Sequence, residues 1–178
     1  MTTEVEVRAF INDKQYSRLL GFFEKNAKLI ADDEQETHYL SGGKDLRIQK
    51  NKRHAKIWMK KGKIHDEQRE EIEILTKKEN FSELEKLFLE LGYIPEIKWF
   101  RKRREYEWGD VTACLDDTKG YGKIIELEKK TSDSEKTAAL EYLKGKMKEL
   151  DVSLTPREEF DSKYAHYKAN WKRLTASD

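Results

Sequence analysis

Carboxylates and bases set at every second position are the residues of this chain with chemistry to offer. In Glu4-Val5-Glu6-Val7-Arg8-Ala9-Phe10 charged and apolar residues swap at each step, the period of a strand with one buried face and one polar face. The spacing recurs around Leu46-Arg47-Ile48, from Ala55 to Lys60, from Arg69 to Ile74, from Val111 to Asp116 and from Ile125 to Glu128. The polar faces carry Glu4, Glu6, Arg8, Arg47, Lys56, Lys60, Arg69, Glu71, Glu73, Asp116, Glu126 and Glu128. The basic stretch from Lys98 to Arg104 is expected to add Lys102 and Arg104, with Arg101 and Arg103 turned the other way. Acids dominate the first and last strands, and bases the middle ones.

Charges facing plain water would explain any single strand. Over seven or eight strands that explanation strains, because Lys and Glu are poor strand formers. A closed eight-stranded antiparallel barrel, with amphipathic helices outside and charges lining its lumen, accounts for the pattern better. The chemistry of such a lumen follows from its donors. Clustered Arg and Lys hold phosphate oxygens through charge-assisted hydrogen bonds. Clustered carboxylates suit a hard cation such as Mg²⁺ or Mn²⁺. Acids and bases on one cavity therefore point to a metal–polyphosphate complex. His38, His54, His65 and His166 show no paired ligand spacing, and Cys114 reads as a small buried residue on a lumen-facing position.

The elements that must position these residues alternate between two periods. Lys14 to Ile30 has a helical apolar stripe (Tyr16, Leu19, Leu20, Phe23, Ala27, Ile30), followed by a polar stretch and a short strand from Thr37 to Leu40. Ser41-Gly42-Gly43-Lys44, Lys61-Gly62-Lys63, Gly109-Asp110 and Gly120-Tyr121-Gly122 read as turns. Asn80 is placed to cap a helix through Leu84, Leu87, Phe88 and Leu91, which Gly92 ends. Two further helices are expected, over 134–150 and 156–171. The class is α+β, a single domain over 1–178 with a strand core about 4–128 and C-terminal helices about 132–174.

Composition narrows the function classes. The 178 residues carry 36 Lys+Arg against 35 Asp+Glu, a net charge of +1, with 40% charged residues. That balance speaks against a dedicated nucleic-acid binder, and the aromatic content of 11% against an acidic disordered tail. One cysteine makes no internal disulfide, and no apolar run has membrane length. A cytoplasmic protein without a membrane partner is expected.

Taken in order, these pieces resemble the CYTH superfamily, the triphosphate tunnel metalloenzymes. Glu4-Val5-Glu6-Val7-Arg8 is similar to the family's E-x-E-x-K signature, and Leu46-Arg47-Ile48, Lys60, Arg69, Glu71, Glu73, Lys102-Arg103-Arg104, Leu115-Asp116, Gly120-Tyr121-Gly122 and Glu126-Leu127-Glu128 follow in the family's order. The nearest members are class IV adenylyl cyclases and thiamine-triphosphatase-like proteins. The resemblance implies an enzyme that binds a triphosphate (ATP, thiamine triphosphate or tripolyphosphate) in the tunnel with Mg²⁺ or Mn²⁺. It implies metal ligation by Glu4, Glu6, Asp116, Glu126 and Glu128, and phosphate contacts from Arg8, Arg47, Lys56, Lys60, Arg69, Lys102 and Arg104. Glu4, Glu6, Arg8, Lys60, Glu71 and Glu73 form the catalytic set it implies. The sequence departs from the family at Arg8 for Lys, Gln49 for a second Arg, Trp58 for a small residue and Tyr121 for Leu. Cyclisation of ATP to cyclic AMP and pyrophosphate, and hydrolysis of a nucleoside, thiamine or inorganic triphosphate, both remain open. So does a non-catalytic module binding nucleotide, polyphosphate or RNA, the last through residues 98–104. The chain is expected as a monomer or homodimer.

Overall fold

A computed structural model describes residues 2–60 and 71–176, with side chains over 4–59 and 72–176. Its strands are β1 (Thr2–Ile11), β2 (Lys28–Leu40), β3 (Asp45–Lys50), β4 (His54–Lys60), β5 (Glu71–Lys77), β6 (Pro95–Trp108), β7 (Val111–Thr118) and β8 (Gly122–Ser132). Four helices accompany them: α1 (Asp13–Asn26), α2 (Phe81–Glu90), α3 (Lys136–Glu149) and α4 (Arg157–Thr175). The strands form one eight-stranded sheet in the order β1-β8-β7-β6-β2-β3-β4-β5. Ladder hydrogen bonding among the described residues does not join β5 back to β1, so the expected closed barrel goes further than the sheet itself. No helix of the described residues is long and apolar enough to cross a membrane.

The chain divides into two compact units. The first comprises Met1–Asp32 and Lys102–Tyr167. Here β1 pairs antiparallel with β8 from Thr2↔Ser132 to Ile11↔Lys123, and β7 pairs with β8 from Thr112↔Glu128 to Thr118↔Gly122. The alternation seen in the sequence sends Val7, Ala9, Ile11, Leu115, Ile125 and Leu127 to one face. Against that face pack Leu19 and Phe23 of α1 and Leu143 and Met147 of α3. Phe23 stacks on Tyr106 at 5.4 Å between centroids and meets Trp108 edge-on at 5.5 Å. A capping box starts α1: the Gln15 amide donates to Asn12 Oδ1 at 2.8 Å, and the Asn12 amide donates to Gln15 Oε1 at 3.0 Å.

The second unit comprises Asp33–Arg101 and Lys168–Asp178. Its sheet face made by Leu40, Ile48 and Ala55 is covered by Phe81, with Leu84 and Phe88 of α2 packed against it. His38 is wholly buried under this helix, its Nε2 2.8 Å from Glu36 Oε1, and Glu36 Oε2 also meets Lys50 Nζ at 2.7 Å.

The end of the first helix, the start of β2 and the role of Asn80 differ from the sequence reading. The first helix ends at Asn26, with Ala27 extended at φ −141° and ψ 163°. Residues expected to finish it, and the polar stretch after it, instead belong to the thirteen-residue β2. The stripe that suggested a longer helix ended on Ile30, which is half exposed. Asn80 sits at the start of α2, but its amide donates to Thr76 Oγ1 at 2.8 Å and makes no capping bond. Gly92 does end that helix, at φ +85°, where a Cβ would strain the backbone.

Burial pushes the Glu36 carboxyl up, but hydrogen bonds and charge from His38 and Lys50 together outweigh it and hold the group at about 2, below an ordinary 4.5. A depressed folded value means stabilisation that is complete above pH 4.5 and is lost as pH falls toward 2. Glu36→Gln is expected to cost about 2 kcal/mol at neutral pH, with the gap to wild type closing through the acid range. Urea unfolding across pH measures it, and a gap that does not depend on pH would refute the pairing.

Candidate functional site

Where one face of the first unit's sheet is apolar, the other collects charge row by row. The registers place Glu6, Glu128 and Thr112 in one row and Arg8, Glu126 and Cys114 in the next. Asp116 lies one row further on, opposite Ile124. Residues directly opposite in an antiparallel pair share a face, so the ladder alone gathers Glu6, Arg8, Asp116, Glu126 and Glu128. Glu4 continues the series opposite Lys130.

The residue that ties this cluster together is Arg103. Its Nε donates to Asp116 Oδ1 at 2.7 Å and its Nη2 to Asp116 Oδ2 at 2.8 Å, with a third bond to Glu126 Oε1 at 3.2 Å. Asp116 and Glu126 are only 4% and 8% exposed. Burial works against the guanidinium, but its hydrogen bonds to Asp116 and the charges of Asp116 and Glu126 prevail and raise its pKa further. The sequence reading chose the wrong parity in β6. Arg104 lies on the helix side, with Nη1 3.1 Å from Glu24 of α1 and Nε 3.1 Å from Asp32. Lys102 shares its parity and is exposed. The signal was present: Tyr106 and Trp108 occupy even positions of the same strand and pack on Phe23, so odd positions had to carry the charged face.

One guanidinium does not neutralise the whole group. Burial raises the Glu128 carboxyl, and its hydrogen bond to Glu126 and the charges of Glu126 and Glu4 raise it further, to about 8, against an opposing Arg103. Glu6 is raised by burial first and then by Glu126 and Glu4, against Arg8 and Arg103. Its side chain is 3.5 Å from Arg8 and about half exposed. Carboxylates held this close are short of positive charge, and that is the donor set a divalent cation fits. Ligand atoms of Cys114, Glu126 and Glu128 all lie within 4.8 Å of one another.

The second unit has its own charged face. Arg47 makes a two-pronged pair with Asp45, Nε to Oδ1 at 2.6 Å and Nη2 to Oδ2 at 2.9 Å. The guanidinium lies 4.3 Å from the Tyr39 ring centroid and 5.4 Å from that of Trp58. Lys56 donates to Glu73 Oε2 at 2.7 Å and sits 4.5 Å from the Trp58 centroid. Gln49, buried, donates to Thr37 Oγ1 at 2.8 Å. The backbone register opposes Lys60 and Glu71, whose side chains lie outside the described residues, as does all of Arg69 and the Lys61-Gly62-Lys63 turn. Asp45 and Arg103 are the residues of these faces that the sequence reading missed. Asp45 escaped notice because it opens its strand next to a glycine-rich turn.

Comparison with known proteins bears on these faces. A family model described as the CYTH domain matches residues 2–158. A Methanocaldococcus jannaschii protein named "putative adenylate cyclase" is 34% identical over 166 residues, covering 84% of this chain and 90% of its own. A conserved hypothetical protein from Pyrococcus furiosus is 25% identical, with a TM-score of 0.69 over 87% of this chain and 96% of that one. A Vibrio parahaemolyticus structure described as a "putative adenylate cyclase" has a TM-score of 0.65 at 16% identity, covering 87% and 94%; that likeness is one of fold.

Removing the bridging guanidinium tests the electrostatics directly. Arg103→Met removes the guanidinium that the buried Asp116 and Glu126 share and is expected to cost about 3–5 kcal/mol in metal-free buffer. Adding Asp116→Asn should recover part of that loss. Denaturant unfolding of wild type, single and double variants reads both effects, and strictly additive losses would show that the pair does not act as one.

Proposed function

The chain belongs to the CYTH domain family, and on that footing we propose that it is a divalent-metal-dependent enzyme acting on a triphosphate. The observation that carries the proposal is the cation-deficient cluster of Glu6, Glu126 and Glu128 beside Arg8 and Arg103 on one sheet face. A pure phosphate binder needs the bases and gains nothing from surplus acids. The name of the M. jannaschii relative favours cyclisation of ATP over hydrolysis of a nucleoside, thiamine or inorganic triphosphate.

In this reading Glu4, Glu6, Asp116, Glu126 and Glu128 hold Mg²⁺ or Mn²⁺. When bound, the cation supplies Lewis-acid neutralisation of phosphate charge. Arg8, Arg47, Lys56, Lys60 and Arg69 hold phosphate oxygens, and Arg103 takes the place that parity denies to Lys102 and Arg104. Arg47 and Lys56 are held by Asp45 and Glu73 in the described state, so a phosphate competes with a carboxylate for each. These bases stabilise charge that grows on the triphosphate in the transition state. For cyclisation, the ribose 3′-oxygen bonds to the α-phosphorus, the bond from the α-phosphorus to the bridging oxygen breaks, and pyrophosphate leaves. The hydroxyl proton passes to a carboxylate, for which Glu71 and Glu73 are proposed. For hydrolysis, water attacks the terminal phosphorus. The closed tunnel, the single-domain organisation and the cytoplasmic location expected from the sequence belong to the same proposal.

Incubation with ATP, thiamine triphosphate or tripolyphosphate, each with Mg²⁺ or Mn²⁺, identifies the reaction by its products. Cyclic AMP with pyrophosphate is expected from ATP; inorganic phosphate instead would assign hydrolysis. Glu126→Gln should lower kcat on the order of 10²-fold or more, whereas Arg104→Ala, on the helix side, should leave it near wild type. Metal-independent triphosphate binding without turnover, surviving Glu4→Ala and Glu6→Ala, would replace the enzyme with a binding module.

A further inference from the structure

The charged face of the first unit is not built by strands alone. Along β1 the positions on this face run Glu4, Glu6, Arg8 and then Phe10. At the last two of them the chain beyond α3 returns to the strand. The Phe10 amide donates to Thr155 Oγ1 at 2.8 Å, and the Thr155 amide donates to the Arg8 carbonyl, more loosely, at 3.5 Å. Further along, in α4, the Phe160 ring lies beneath the Arg8 guanidinium, its centroid 4.9 Å from Cζ. That ring is itself held in place. Phe160 packs on Phe10 at 4.6 Å between centroids, Phe10 meets Tyr121 at 5.3 Å, and Tyr121 meets the buried Tyr167 edge-on at 5.6 Å.

Arg8 is the base that needs such support. Its side chain is about half exposed, and its Nε is 3.5 Å from Glu6 Oε1, too far for a firm hydrogen bond. A long exposed side chain samples many rotamers, and a ligand that must immobilise it gives up affinity to do so. A ring beneath the guanidinium restrains it in advance without consuming its donors. The cation is drawn to the ring face, while the N–H groups stay in the guanidinium plane. We propose that Phe160 is a positioning residue for Arg8, holding the guanidinium ready for phosphate oxygens while Thr155 fixes the strand that carries it. The inference rests on the reading of Arg8 as a phosphate-holding base and extends the site to the C-terminal helix. It also gives a physical reason for arginine where the E-x-E-x-K signature has lysine. A guanidinium turns its face to the ring and its edge to phosphate, whereas an ammonium has no such division.

A double-variant cycle over Arg8→Lys and Phe160→Leu, made on the full chain, tests this. Tripolyphosphate and ATP with Mg²⁺ are the probes, with affinity read by calorimetry and turnover by KM and kcat. Phe160→Leu alone is expected to raise Kd and KM about two- to fivefold. Its kcat should stay within about twofold of wild type, as for a residue that acts on binding. Phe160→Tyr keeps the ring and should restore the wild-type Kd. In the Arg8→Lys background the same leucine should change Kd by a clearly smaller factor, so the two losses do not add. Because Phe160 also packs on Phe10, the leucine is expected to lower the urea midpoint in both backgrounds, which separates packing from positioning. Equal losses of phosphate affinity in both backgrounds, or a Kd that Phe160→Leu does not move, would overturn the inference; turnover by the wild type then leaves the enzyme reading standing. Coupled binding without turnover on either probe keeps Phe160 in this role and removes the enzyme. A wild type that neither binds nor turns over either probe removes both.

Discussion

A charge withdrawn from water must find an opposite charge or a cation, and the arrangement of both units answers to that constraint. In the first, Arg103 reaches Asp116 of β7 and Glu126 of β8 from β6, so one guanidinium ties three strands together. The apolar face behind them, closed by α1 and α3, fixes the register that makes this possible. A slip of one residue would carry Glu126 and Asp116 into the hydrophobic core and bring Ile125 and Leu115 onto the charged face. The price of such a slip is several buried unpaired carboxylates, which is why register and electrostatics specify each other here.

The second unit obeys the constraint with different partners. Arg47 and Lys56 are each paired to a carboxylate and lie against the Trp58 ring, which is 6% exposed. The ring shields both cations from water, strengthening the pairs and supplying quadrupole attraction. Gln49 shows the same logic by substitution. An arginine at this buried position would need a carboxylate, whereas the amide is satisfied by the Thr37 hydroxyl at 2.8 Å. The loss of one base is therefore offset locally by a neutral hydrogen bond, and no acid is stranded by it.

Legibility followed from how each strand divides its two faces. β1 and β8 announce their polar faces because the alternate residues are aliphatic, and the order of motifs through Glu128 needed no structure to read. β2 was invisible beyond its last four residues. From Asp32 to Glu36 it is polar on both sides, with Asp32 on Arg104 and Gln35 on Arg101, so hydropathy has no period to show. An acidic strand beside the basic β6 is stabilised by charge complementarity that a periodicity test does not detect. In β6 itself four consecutive bases erase the parity, and only Tyr106 and Trp108 restore it. Cys114 was legible as a position on the charged face, but its closeness to two specific carboxylates depends on the β7–β8 register.

The net charge of +1 conceals how unevenly these charges are spent. Among the described residues at the centre of the first unit's charged face Glu6, Asp116, Glu126 and Glu128 outnumber Arg8 and Arg103, and burial first, then the neighbouring acids, raises the Glu6 and Glu128 carboxyls. Burial beside other acids disfavours the charged form of both carboxyls, and a bound cation would relieve that deficit. A triphosphate would bring the complementary excess of negative charge and could not approach the acids without that cation between them. In the proposed enzyme the metal would therefore bind the acids first, and the metal with Arg8 and Arg103 would then receive the triphosphate.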